Sequence, residues 1–166
     1  MDARLIVIRG NSGSGKSSVA EGIRKACGQR VAWIEQDHIR RMVFDELEEP
    51  DGANVTAIEQ LANHALSRNF HTVVEGIFPT VRYAEMLARL ARQYAGPSYF
   101  YYLDIPFDET VRRHATRPKA TAFDPAAMRD WYRHRDLLAA PTETVIDESS
   151  TLEGTVARIL ADADLG

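Results

Sequence analysis

Residues 4–18 read RLIVIRGNSGSGKSS, and that order of residue types leaves few folds open. The run Arg4–Ile8 is nearly all apolar, the pattern of a strand buried on both faces in a parallel sheet. It leads into Gly10, Asn11, Ser12, Gly13, Ser14, Gly15, Lys16 and Ser17, which match G-x-x-x-x-G-K-[ST], and then with Ser18 into a helical stretch. Glycines let the backbone turn tightly and aim successive N–H groups inward. The first helical turn adds unpaired donors and the positive end of its dipole, so anionic phosphate fills the nest. Gly10 to Ser18 are therefore the expected nucleotide contacts. Lys16 is expected to reach the terminal phosphates and the Ser17 hydroxyl to hold magnesium.

A strand of that kind needs parallel neighbours, and four more runs can supply them: Arg30–Glu35, His71–Glu75, Ser98–Asp104 and Thr144–Asp147. Between them, apolar residues recur at three- and four-residue steps. Ile58, Leu61, Ala62, Ala65 and Leu66 form one stripe, Ala84, Leu87, Ala88 and Ala91 another, and Leu152, Val156, Ile159 and Leu160 a third, each expected to face a core. Ser150 with Glu153 three residues on predicts a capped helix start, and Asp108 ahead of ETVRR predicts another. Strands alternating with helices imply crossover connections and an α/β layered fold. With 166 residues and no repeat or linker, residues 1–166 read as one domain.

Composition excludes several classes. The single cysteine, Cys27, rules out an intramolecular disulfide, and the five histidines show no ligand spacing, so no zinc site is expected. No run approaches the roughly 18 apolar residues of a membrane span, and no signal-like segment precedes the first strand, which predicts a soluble, cytoplasmic protein with no membrane partner. A net charge of -4 argues against general nucleic-acid binding. Residues 112–135 nevertheless hold seven Lys/Arg against two Asp. That local excess reads either as a solvated basic face or as a lid over an anion.

In open α/β sheets ligands bind beyond the carboxyl ends of the strands, so chemistry is expected there. Asp37 follows the second strand; it can orient an acceptor hydroxyl and take its proton, or cap the helix before Ile39, and the two roles can coexist. Arg40, one helical step on, can pair with a polar or anionic group of the acceptor. Glu75 ends the third strand, where it either orders water on magnesium or pairs with an arginine at the edge. After the fourth strand come Arg113 and Arg117, four apart, and Arg129 and Arg133, a second such pair. Arginines closing over a seated nucleotide exclude water and neutralise charge on the moving phosphoryl group. The lid spans about 114–128, and Trp131 and Tyr132 are expected to pack on the core beside Met128.

These passages together resemble the small P-loop kinases, among them nucleoside monophosphate kinases, shikimate and gluconate kinases, chloramphenicol phosphotransferase, zeta-type toxins and the kinase domains of polynucleotide kinases. GNSGSGKS resembles the gluconate kinase and polynucleotide kinase cradles, QDHIR resembles the D-x-x-R after strand two, and YLDIPFDETVRRHATRP is similar to their strand-four, helix and arginine-lid passage. The resemblance implies a five-stranded parallel sheet flanked by helices with an arginine-rich lid. It also implies Asp37 as the acceptor-side carboxylate, Arg113 stacked on adenine, Arg117 on the transferring phosphate and the loop after Asp147 beside the adenine. Thr80 stands where adenylate kinases carry arginine, and the shikimate-type D-x-D is absent.

The expected activity is transfer of the terminal phosphate of ATP, with magnesium, to a hydroxyl of a small molecule. In that reading Lys16, Asp37 and Arg117 are catalytic, Asp37, Arg40, Glu75 and Arg133 meet the acceptor, and Ser17 and Glu75 serve the metal. The alternatives are a polynucleotide 5'-end kinase and a nucleotide-switch NTPase, and the chain is expected to be a monomer or homodimer.

Overall fold

The computed structural model describes residues 2–49, 51–115 and 125–166. Five strands form one parallel sheet: β1 (Leu5–Gly10), β2 (Val31–Glu35), β3 (His71–Gly76), β4 (Ser98–Asp104) and β5 (Thr144–Asp147), in the order β2-β3-β1-β4-β5. Each expected strand is present, with bounds that shift by two residues at most.

The centre of the sheet follows from β1, whose six residues are all buried. Leu5 and Val7 enter one core, while Ile6 and Ile8 enter the other. A two-residue period with both faces apolar requires a layer on each side. On the first face lie α3 (Ala53–Ser67) and α4 (Thr80–Gln93), which bury Ile58, Ala62, Leu87 and Leu90. On the second lie α1 (Lys16–Cys27) and α7 (Leu152–Asp162), which pack on each other and bury Val19, Ala20, Ile23 and Ile159. The architecture is a three-layer α/β sandwich. Among the described residues no helix is long and apolar enough to cross a membrane.

The expected stripes need correction where only one flank of a helix reaches the core. In α3 the buried positions step by four, Asn54, Ile58, Ala62 and Leu66, so Leu61 lies off the stripe and is 45% exposed. Leu152, in the first turn of α7, is exposed to the same degree. The buried face of α4 centres on Tyr83, Met86, Leu87 and Leu90, so of the alanine-rich stripe only Leu87 is fully enclosed. Thr151, not Ser150, caps α7, its hydroxyl accepting from the Gly154 N–H at 3.0 Å. Asp108 lies inside the first turn of α5 (Phe107–Ala115) rather than ahead of it.

One element inside β1 is ionic. The Arg9 side chain is fully buried; its Nη1 donates to both Glu143 oxygens at 2.9 Å and its Nη2 donates to the Phe78 carbonyl at 2.8 Å and the Asp136 carbonyl at 2.9 Å. A guanidinium here survives only because every donor direction meets an oxygen.

Candidate active site

β1 ends at Gly10, and the chain turns through a loop shaped by glycine. At Gly10 (φ +150°) a Cβ would stand 2.8 Å from the Leu103 carbonyl oxygen and from Ser14 Oγ. At Gly13 (φ +79°) it would stand 2.5 Å from the Thr110 carbonyl oxygen. Gly15 (φ +104°) then precedes α1, and no side chain caps the first-turn N–H groups of that helix. Inside the loop, the Asn11 carbonyl accepts from the Ser14 N–H at 3.1 Å and from the Lys16 ammonium at 2.9 Å. Ser14 Oγ is buried without a hydrogen-bond partner. A concavity of backbone donors, an unsatisfied hydroxyl and a lysine at a helix N-terminus together fit a polyphosphate.

The neighbouring strand supplies acid. Glu75 on β3 is paired in register with Ile8 of β1 on one side and with Glu35 of β2 on the other. It is 2% exposed, and its Oε1 has no hydrogen-bond partner. Burial pushes the Glu75 carboxyl above the ordinary carboxylate range; the Lys16 ammonium and the Ser17 hydroxyl beside it oppose that, Glu35 across the ladder adds to it, and the Trp33 indole opposes it. Lys16, Ser17 and Glu75 therefore share one locus. Glu35, which sequence reasoning did not single out, completes a carboxylate pair there; it is set by the β2–β3 register, for which the sequence carries no signal. Among the described residues no three acidic, His or Cys groups are placed to hold a metal unaided. Magnesium at Ser17 and Glu75 would therefore complete its shell with phosphate oxygens and water, its usual habit.

Asp37 lies beyond the tip of β2, inside a short helix, α2 (Gln36–His38), that continues as a π-helical stretch over Ile39–Val43. Its position within α2 rules out the helix-cap role before Ile39. The side chain is 51% exposed, and its Oδ1 accepts from Arg41 Nε at 2.6 Å and Arg40 Nη2 at 3.1 Å. With strands about 4.8 Å apart, Asp37 and the loop after β1 are separated by β3 alone, a span of about 10 Å at the same sheet edge. Arg40 is buried; besides Asp37 it donates to the Glu46 carbonyl at 3.0 Å and stands 3.3 Å from Glu48. These contacts hold the 36–48 segment together.

The arginines divide. Arg113 lies on the cradle, its Nη1 donating to the Ser14 carbonyl at 3.2 Å while Nε donates to Glu109 at 2.7 Å. Arg117 and most of the expected lid lie outside the described residues. Arg129 and Arg133 are not a helical pair, because α6 (Pro125–Trp131) ends between them. Arg129 stacks on the Phe107 ring, 4.3 Å from its centroid, whereas the Arg133 backbone exchanges two 2.8 Å hydrogen bonds with the Asn11 side chain. Met128 and Tyr132 pack inward, Tyr132 on Phe107 and the Ile105 carbonyl, but Trp131 is 42% exposed.

Comparison with known proteins agrees with this fold. The AAA domain family matches residues 5–141, while no curated protein matches the sequence. Among solved structures, a gluconokinase from Sinorhizobium meliloti 1021 is 23% identical with a TM-score of 0.66, covering 96% of this chain and 91% of its own. The APS kinase of Mycobacterium tuberculosis, in complex with AMPPNP and APS, is 16% identical with a TM-score of 0.70, covering 99% and 98%. A sugar kinase from Janibacter sp. HTCC2649 is 18% identical with a TM-score of 0.67, covering 100% and 96%. The fold is that of the small P-loop kinases.

Proposed function

The chain belongs to the AAA domain family, and on that premise we propose that it is an ATP-dependent phosphotransferase whose acceptor is a hydroxyl of a small molecule. The observation that carries this reading is the placement of Asp37, Glu75 and the Gly10–Ser17 loop at the tips of β2, β3 and β1, three strands adjacent in the sheet. A half-exposed carboxylate at a neighbouring strand tip suits a transferase, which can use it to orient an acceptor hydroxyl and take its proton. The M. tuberculosis neighbour is an APS kinase in complex with AMPPNP and APS, which supports a kinase reading.

The backbone donors of residues 10–17, with Lys16, grip the terminal phosphates of ATP. Arg113, already against the Ser14 carbonyl, closes the nucleotide end of the cradle. The acceptor oxygen attacks the terminal phosphorus as the bond to the bridging oxygen breaks, so ADP leaves with the bond electrons. The acceptor proton passes to the Asp37 carboxylate, which Arg40 and Arg41 hold in place through Oδ1. Ser17 and Glu75 would hold magnesium, which neutralises phosphate charge when bound. In this loose transition state orientation outweighs basicity, so the rigidity of the segments beyond β1 and β2 matters more than the strength of the base.

Incubation with ATP, magnesium and a panel of hydroxylated compounds tests the reading, with mass spectrometry reporting acceptors that gain one phosphoryl group. Release of ADP at one slow rate, whatever compound is present, would leave only a hydrolase. The support that the basic stretch lends to a polynucleotide acceptor is weakened at three of its seven cations, because Glu109 pairs with Arg112 and Arg113 and Asp104 pairs with Arg135.

A further inference from the structure

The segment 132–138 forms a strap along the carboxyl edge of the sheet. Tyr132 donates to the Ile105 carbonyl beyond β4 at 3.1 Å, and Arg135 pairs with Asp104 at 3.4 Å. Over β1 the Arg133 backbone meets Asn11, and Asp136 meets Arg9. Past β3, Asp136 accepts from the Thr80 N–H at 2.9 Å and from its hydroxyl at 2.5 Å, at the start of α4. The strap thus touches the chain at the ends of β4, β1 and β3, and β1 and β3 carry the proposed chemistry.

We infer that Asn11 is a positioning residue whose side-chain amide couples the phosphate cradle to this strap, so that a nucleotide seated in the cradle also fixes the backbone that carries Arg133. The inference rests on the phosphotransferase reading only in needing a nucleotide to occupy the cradle. Asn11 is 5% exposed. Its Nδ2 donates to the Arg133 carbonyl and its Oδ1 accepts from the Arg133 N–H, both at 2.8 Å. A primary amide matches a peptide unit donor for acceptor, and no other side chain of this length does so. On the other side of the same residue, the backbone carbonyl holds the Lys16 ammonium and the Ser14 N–H. One residue therefore grips the phosphate-binding lysine with its main chain and the strap with its side chain. A phosphate that recruits Lys16 competes directly with the Asn11 carbonyl, and any adjustment of that peptide reaches Arg133 through two hydrogen bonds. Arg133 is tied by its backbone alone in these bonds, which leaves its side chain out of the coupling. Tyr102 supplies only a long second donor to the Arg133 carbonyl, at 3.4 Å.

Amide hydrogen exchange on the full chain, with and without ADP and magnesium, tests the coupling. In the native sequence ADP should slow exchange in both residues 10–18 and 132–138, the latter by about tenfold. Asn11→Ala should keep the slowing at 10–18 but reduce that at 132–138 to less than about twofold, a change that a purely structural role would not link to ADP. Arg133→Ala should retain both, because the bonds run through its backbone. If Asn11→Ala does not fold, Asn11→Asp serves: it keeps the acceptor, loses the donor, and should show partial loss at 132–138 alone. Equal slowing of the strap in Asn11→Ala or Asn11→Asp and in the native chain overturns the coupling while leaving the nucleotide reading intact. Absence of any ADP effect at residues 10–18 in the native chain overturns both.

Discussion

The two shoulders of the proposed site are built by different means. The shoulder beyond β1 is made of backbone: positive-φ glycines, an uncapped helix start, and side chains such as Asn11, Ser14 and Lys16 that are each under 10% exposed. The shoulder beyond β2 is made of side chains on a helix that widens into a π-helical stretch. Its carboxylate is half exposed, its arginines are tied into ion pairs with Asp37 and Glu48, and Met42 and Leu47 beside it are 74% and 76% exposed. A buried Gln36–Tyr83–Asn54 chain of hydrogen bonds anchors that shoulder from below, with the Tyr83 hydroxyl pushed up to about 12 by burial and so kept protonated. Backbone geometry recognises the part of the ligand every phosphoryl donor shares. Side-chain surface recognises what differs between acceptors, which is where large exposed apolar groups beside a carboxylate become informative.

That contrast predicts a steep inequality between lesions on the two sides. Lys16→Ala should abolish transfer, by about 10³-fold or more, and also remove most of the thermal stabilisation that nucleotide confers. Asp37→Asn should lower transfer by about 10²-fold while nucleotide still raises the melting temperature as in the native chain. Measuring both variants by turnover and by melting with and without ATP separates donor from acceptor functions. Normal transfer by Asp37→Asn would erase the distinction between the shoulders, since the acceptor would then lie elsewhere.

A lesion beneath both shoulders should act on stability instead. Glu143→Ala leaves the Arg9 guanidinium buried with Asp136 as its remaining carboxylate, at 3.3 Å. Loss of one partner of a buried pair costs about 3–5 kcal/mol, which denaturant titration reads directly. Glu143→Gln, which keeps an oxygen for Arg9, should recover part of it. An unchanged midpoint for Glu143→Ala would mean that Asp136 and the Phe78 carbonyl suffice.

The contrast also marks what a sequence can disclose. The cradle was legible because glycine, lysine and serine spacing encodes backbone geometry directly, and the strands because two-sided burial leaves unbroken apolar runs. The burial of Leu61 and the helical pairing of Arg129 with Arg133 were misjudged for one shared reason: each needs a helix's orientation or end point, which tertiary packing decides. Arg9 sits in an apolar strand, and its partners Glu143 and Asp136 lie more than 120 residues away. Glu35 gains meaning only from a strand register, since nothing nearby in the chain points to Glu75.

β3 lies between the two shoulders, and its Glu75 offers the smallest and most specific test. Burial raises its folded-state carboxyl above the ordinary 4.5, so the folded chain binds that proton more readily than the unfolded one. The stability this group contributes is therefore present at pH below the ordinary carboxylate value and is lost as pH rises through the raised one. Glu75→Gln removes the ionisation. Its melting temperature, measured relative to the native chain in the absence of nucleotide, should rise between pH 4.5 and pH 8. Other carboxylates titrate alike in both proteins and cancel in that difference. A constant difference across the range would mean that Lys16 and Ser17 already compensate the buried charge. The carboxylate would then be held ionised by the cradle itself, and the two shoulders would be electrostatically one site.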